Sequence, residues 1–308
     1  MKILVPAPMK RFLLILLLSA LSVIGMAQNR HALLIGIGQY PKGSGWRAID
    51  GDTDVPVMRQ ALLRQGFSGK DITELVNGQA TKEGILKAIR HLTDISGKGD
   101  LVFILFSGHG QQITDTDGDE KSDDPDDDFD EAWIPYDAGI AYKKGVYEGE
   151  NHLTDDELNV LLYAIREKVG ANGKIIVIAD ACHSGGGSRA LTDDDDAVMR
   201  GWSEEFVIPR NAWSRRTATS GVDREATDPW LYVAACGQYE SNFEYKAGDG
   251  KYYGVLTYII SQDSNIFSRK NYSDILEGWN RMLTALRSRP FQTITPSGEP
   301  NKVSATLF

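Results

Sequence analysis

Cysteine is scarce in this chain of 308 residues: Cys182 and Cys236 are the only two, which leaves room for a single disulfide. Basic residues are outnumbered, 33 Lys and Arg against 43 Asp and Glu, and the formal net charge is −10. That balance excludes nucleic acid as a partner, because such binding draws on counterion release by Lys and Arg. Beyond residue 27 no apolar run reaches the ~20 residues needed to cross a bilayer. A dinucleotide-binding fingerprint is also missing. Gly36 and Gly38 follow the apolar run 31–37, but the third glycine is absent and Pro41 intervenes, so no organic cofactor is expected.

What is present starts with a leader. Lys10-Arg11 precedes the apolar stretch 12–24, and Gly25-Met26-Ala27 closes it with small residues. These are the three regions of a secretory signal peptide, and the apolar core is short for an anchor. The expected organisation is a signal peptide over 1–27 and one domain over 28–308. The mature protein would be secreted or periplasmic, with no membrane partner after cleavage. Loss of Lys2, Lys10 and Arg11 with no acid takes the charge from −10 to −13. The acids lie in blocks, which points to cations as ligands.

The apolar runs 31–37, 72–76, 100–107, 174–180 and 230–236 have the length and β-branched content of buried strands. Between them lie helical patterns: one opened by Asp54 and ended by Gly66, one capped by Thr81 and running to 91, and one from Thr154 through 167. Further helices are expected over 253–262 and 272–286, and an edge strand over 303–308. The alternation predicts an α/β fold, a mainly parallel central sheet flanked by helices. Two segments interrupt it: an acidic insertion over 111–153 and a polar loop over 185–228.

Two strands end in motifs that carry chemistry. One is Ser107-Gly108-His109-Gly110, the other Asp180-Ala-Cys182-His183-Ser184-Gly185. Ligands of open α/β sheets bind outside the carboxyl ends of the strands. If the two strands are neighbours, a thiol and an imidazole emerge side by side, as a nucleophile and its base. An imidazole lowers a thiol's pKa and passes its proton to a leaving amine. The N–H groups of Gly110 and Cys182 are candidates for an oxyanion hole, where each donor contributes about 2.7–4 kcal/mol. His183 points away from a strand end, so His109 is preferred as the base. Cys236 is read as a buried small hydrophobe rather than a disulfide partner.

These boxes resemble the histidine and cysteine motifs of the caspase-like cysteine peptidases of clan CD, in the branch of metacaspases and bacterial caspase homologues. Ala32-Leu-Leu-Ile-Gly36, Leu153-Thr-Asp-Asp-Glu157 and Tyr253-Gly-Val-Leu-Thr257 extend the resemblance over most of the mature chain. It implies a caspase-hemoglobinase fold, a His109–Cys182 dyad, endopeptidase activity on peptide or protein substrates, and a monomer. It also implies cleavage after Arg or Lys through a carboxylate-lined pocket. Asp54 and Asp180 match the pocket acids, although Asp54 also reads as a helix N-cap and Asp180 as a loop brace.

The resemblance further suggests activating Ca2+ at Asp137, Asp155 and Asp156. An alternative is the run with Asp115, Asp117 and Asp119, whose alternate acids resemble the start of a calcium loop. Asp126 stands where an EF-hand needs a bidentate Glu, and Gly187-Ser188-Arg189 replaces the Asp that metacaspases carry after the cysteine box. Self-cleavage is expected in the arginine-rich loop 185–228, with Arg215-Arg216 as the preferred site. The competing reading is a catalytically silent caspase-like scaffold that binds calcium.

Overall fold

Across the central sheet the strands run in the order Ile72–Val76 (β2), Arg30–Gly36 (β1), Leu101–Ser107 (β3), Lys174–Asp180 (β7), Leu231–Ala234 (β8) and Thr295–Ser297 (β11). The computed structural model describes residues 28–118, 128–182, 198–202, 204–215, 230–237, 240–263, 272–286 and 292–297. The leader, the edge strand expected over 303–308 and much of the loop 185–228 lie outside them. All neighbouring strands pair in parallel except β11, which closes the β8 edge antiparallel. The sequence reading did not expect a strand at 295–297, because Thr295-Pro-Ser297 carries no apolar signal.

β3 is buried along its whole length, and β1 and β7 are buried beyond their first residues. Their continuous Val, Ile, Leu and Phe content follows from having helices on both faces. Gly51–Arg64 (α1), Val255–Gln262 (α4) and Tyr272–Leu286 (α5) cover one face, through Val55, Met58, Leu62, Leu256, Ile259 and Trp279. Lys82–Ile95 (α2) and Asp155–Val169 (α3) cover the other, through Ile85, Ile89, Leu92, Leu158, Leu162 and Ile165. Thr81 caps α2 as expected, accepting from Gly84 N at 3.1 Å. Thr154 and Glu157 form a reciprocal capping box at the start of α3.

Three boundaries differ from the sequence reading. α1 begins at Gly51 rather than Asp54, because the first turn must pass over the tips of β1 and β3. A Cβ on Gly51 would lie 2.6 Å from both Ile37 O and Ser107 O, so only glycine fits. α4 begins at Val255, because Tyr252–Gly254 (β10) pairs with Glu244–Lys246 (β9) as a short hairpin. The insertion 111–153 is not featureless: Gly110–Thr114 (β4), Phe129–Trp133 (β5) and Leu153–Thr154 (β6) form a small antiparallel sheet. That sheet starts directly after His109 and stiffens its carboxyl side.

Candidate active site

The register of the sheet places the two motifs together. Ser107 pairs with Asp180, and Gly36 pairs with Ser107, so β1, β3 and β7 end level. Gly108 N reaches Asp180 O at 3.4 Å, so the chains leaving β3 and β7 stay side by side. His109 and Cys182 therefore sit on adjoining tips, at the carboxyl end of the sheet.

His109 is packed and oriented by residues that the sequence reading did not single out. Its ring stacks on Trp46, with centroids 4.9 Å apart and planes 27° apart, and lies 5.3 Å from the Tyr40 ring. Tyr40 Oη donates neither to the imidazole nor to its carbonyl; it accepts from His109 N at 3.1 Å. His109 Nε2 lies 2.9 Å from Arg47 O. A carbonyl can only accept, so Nε2 carries the proton and Nδ1 carries the lone pair. Nδ1 is buried and has no hydrogen-bond partner among the described residues. Burial pushes the imidazole down to about 4, the Arg47 carbonyl partly offsets that, and the charge of Arg200 adds to it. His109 is thus a neutral base at pH 7.

Cys182 is buried, and its thiol donates to Glu240 O at 3.3 Å rather than to His109. The expected thiol–imidazole hydrogen bond is therefore not formed in this arrangement. Its backbone N–H donates to Arg200 O at 2.8 Å. Cys236 is buried as expected; both cysteines are free. Its hydrogen bond to the side chain of Cys182, followed by burial, holds the Cys236 thiol well above the ordinary range. His183 lies outside the described residues.

Beside the thiol lies an acidic pocket filled by a guanidinium. Arg200 is 0% exposed. Its Nη1 donates to Asp54 Oδ2 at 2.8 Å and to Ser107 Oγ at 2.6 Å, its Nη2 to Glu244 Oε1 at 3.0 Å, and Asp180 Oδ1 lies 3.9 Å from Nη1. Burial pushes Asp54 up to about 7; Arg200 pulls it down and Asp180 raises it further. Burial also raises Glu244, against the pull of Arg200. For Arg200, burial lowers the pKa, but the three carboxylates together outweigh it and hold the guanidinium charged. Charge-assisted, oriented bonds of this kind are the strong ones.

Each acid is itself held. Asp54 does not cap α1; it points away from the helix, accepting from Ser107 Oγ at 2.6 Å and from Gly254 N at 3.1 Å. Asp180 serves the first turn of α4, accepting from Thr257 N at 2.7 Å, and also accepts from Asn242 Nδ2 at 2.8 Å. Gly254 is required at the pocket wall, since a Cβ there would lie 2.2 Å from Asp180 Oδ2. Glu244 and Arg200 were missed in the sequence. Nothing local marks Glu244, and Arg200 was one of six arginines in a polar loop.

The fold thus gathers Asp54, Asp180, Cys182, His109 and Gly110, and leaves the calcium candidates apart. Among the described residues no three His, Cys, Asp or Glu side chains gather as metal ligands. Asp137 Oδ1 accepts from Lys82 N at 2.9 Å, at the first turn of α2. Asp155 and Asp156 stand in the first turn of α3, where acids complement the helix dipole. Asp115 Oδ1 accepts from the N–H groups of Asp117 and Gly118, closing a turn. Asp119 lies outside the described residues. In this arrangement these side chains serve helix starts and a turn.

Comparison with known proteins bears on the family and the fold. Residues 30–188 match the family model "Metacaspase, peptidase C14 domain". The chain is 33% identical over 165 residues to Metacaspase-1B of Aspergillus fumigatus, covering 51% of this chain and 36% of that protein. It is 32% identical over 163 residues to Metacaspase-7 of Arabidopsis thaliana, covering 51% and 35%. The match thus spans about a third of the length of these relatives. Among solved structures, protein GSU0716 of Geobacter sulfurreducens superposes with a TM-score of 0.61 at 23% identity, over 90% of this chain and 97% of that one. That likeness establishes the fold.

Proposed function

The chain belongs to the metacaspase family, peptidase C14, and on that premise we propose that it is an exported, monomeric cysteine endopeptidase cutting peptide bonds after Arg or Lys. The observation that carries the specificity is the pocket: Asp54 and Glu244 bond a guanidinium within 3.0 Å, with Asp180 behind them, beside the N–H of Cys182. A pocket of three carboxylates favours a cation and repels an acidic side chain, which disfavours cleavage after Asp.

In the reaction the Cys182 thiol turns from Glu240 O towards the substrate, and its proton passes to His109 Nδ1. Sγ attacks the carbonyl carbon following the Arg or Lys side chain. The oxygen that becomes negative is held by the N–H of Cys182 and that of Gly110. His109 then gives the proton to the departing amine, leaving a thioester. Water, deprotonated by His109, hydrolyses the thioester and restores the thiol. Arg47 O keeps the proton on Nε2 throughout, so that Nδ1 does the transfer.

The test is hydrolysis of fluorogenic peptides ending in Arg, Lys or Asp by the protein lacking residues 1–27, with and without calcium. Arg and Lys reporters should be turned over, Asp reporters should not, and Cys182→Ala should remove all turnover with the fold retained. Equal turnover by Cys182→Ala would refute the assignment. Absence of both turnover and labelling by an Arg-ended electrophile would favour the silent scaffold.

A further inference from the structure

The only two cysteines of the chain meet at the tips of neighbouring strands, and both are free thiols. β7 and β8 run parallel with Ala179 paired to Ala234, and Ala235 N continues that register by donating to Ala179 O at 3.0 Å. Two steps beyond the pair, Cys236 stands level with Ala181, and its thiol donates to Ala181 O at 3.9 Å. Cys182 is then one strand across and one position along. Steps of about 4.8 Å and about 3.3 Å put such diagonal Cα atoms about 6 Å apart, within the window of about 4.4–6.8 Å that a disulfide spans. The side chains close the gap, since the Cys236 thiol is hydrogen-bonded to that of Cys182. The backbone that carries Cys236 is clamped. Gln292 Nε2 donates to Ala235 O at 2.8 Å, and Thr295 Oγ1 to Cys236 O at 3.1 Å. Glu240, whose carbonyl holds the Cys182 thiol, accepts from Gly237 N at 2.9 Å and from Thr293 N at 2.6 Å. The two sulfurs therefore stay neighbours while the nucleophile turns. Filling space would need only a small apolar side chain at 236; a second thiol against the nucleophile brings chemistry of its own.

We propose that Cys182 and Cys236 form a reversible disulfide that takes the nucleophile out of action under oxidation and spares it irreversible damage. The silencing rests on the peptidase reading above; the bond itself does not. The oxidant is a hydroperoxide, of the kind met in the oxidising compartments where disulfides form. Cys236 is held protonated, so Cys182, the thiol served by His109, reacts first. Its sulfur bonds one peroxide oxygen, the O–O bond breaks, and the other oxygen leaves with the thiol proton. Cys182 is now a sulfenic acid. The Cys236 sulfur then bonds the Cys182 sulfur, the S–O bond breaks, and the hydroxyl leaves as water with the Cys236 proton. The two thiols have given two electrons to the peroxide. A dithiol reductant reverses the step by exchange, ending as its own disulfide and returning both protons to the cysteines. Without Cys236 the sulfenic acid meets a second peroxide and becomes a sulfinic acid, which a dithiol does not restore. The buried small hydrophobe expected at 236 is thus the reduced half of a pair.

The experiment treats the protein lacking residues 1–27 with hydrogen peroxide and follows intact mass, peptide mapping and turnover of an Arg-ended reporter, before and after dithiothreitol. Wild type should lose two hydrogens, yield a peptide linking 182 to 236, lose turnover, and regain it with dithiothreitol. Cys236→Ala should lose turnover to the same peroxide, carry sulfinic or sulfonic acid at 182, and regain little of its own untreated rate. If Cys236→Ala does not fold, the wild-type map decides alone. Oxidation of wild type directly to sulfinic acid with no 182–236 link overturns the proposal, and turnover by the untreated protein then leaves the peptidase reading standing. A link joining two copies of the chain instead overturns the pairing within one chain. Equal recovery by wild type and Cys236→Ala overturns the protective role. A reversible 182–236 link in a protein whose reduced form never turns over any reporter upholds the bond and overturns the peptidase reading.

Discussion

Replacing Asp54 by Asn removes one charge from a pocket that is fully buried while preserving the shape of the side chain. If a substrate guanidinium sits as that of Arg200 does, Asp54 Oδ2 receives one hydrogen bond of 2.8 Å from it. A bond to a charged group is worth about 1.5–3 kcal/mol. At about 1.4 kcal/mol per tenfold, kcat/KM for an Arg-ended reporter should fall by roughly 10- to 150-fold. The loss is partial because Glu244 and Asp180 remain. The pH profile supplies an independent reading. Burial raises Asp54 to about 7, and the anion is the form that pairs with the guanidinium. In wild type, kcat/KM should therefore climb as pH rises through about 7, and the variant should lack that step. Fluorogenic kinetics from pH 5 to 9 on both proteins measure the two effects together. An unchanged kcat/KM with the same acid limb would show that Asp54 does not serve the pocket.

Two further outcomes test the scaffold around the site. Trp46→Ala removes the ring stacked on His109 and opens it to water, so the imidazole should titrate above its buried value of about 4, towards the ordinary range near 6.5; an NMR titration of the imidazole reads this, and an unmoved midpoint would assign the depression to other groups. Thr81→Ala removes the hydrogen bond to Gly84 N that caps α2, and thermal unfolding should report a loss of about 1 kcal/mol, with reporter kinetics unchanged.

Much of this molecule is determined within single segments. β3 is seven apolar-rich residues that can be buried only between two helical layers, and Thr81 and Thr154 mark the helix starts they occupy. That His109 and Cys182 follow neighbouring strand ends comes from parallel strands ending level, so two short motifs sufficed to expect the adjacency. Boundaries were misread where a neighbour decides them. Gly51 starts α1 because the tips of β1 and β3 leave no room for a side chain, and 295–297 becomes a strand only because β8 offers it an edge.

The pocket could not be read along the chain in the same way. Arg200, Glu244, Asp54 and Asp180 come from four segments, and no periodicity links them. Composition and motif determined that acids, a thiol and an imidazole were available at strand ends. Only the tertiary structure decided which acids meet and which arginine lies between them. The physical reason is that a buried charge must find its counter-charge in space, and the strand pairing of residues 198–200 with 242–244 brings Arg200 to its partners.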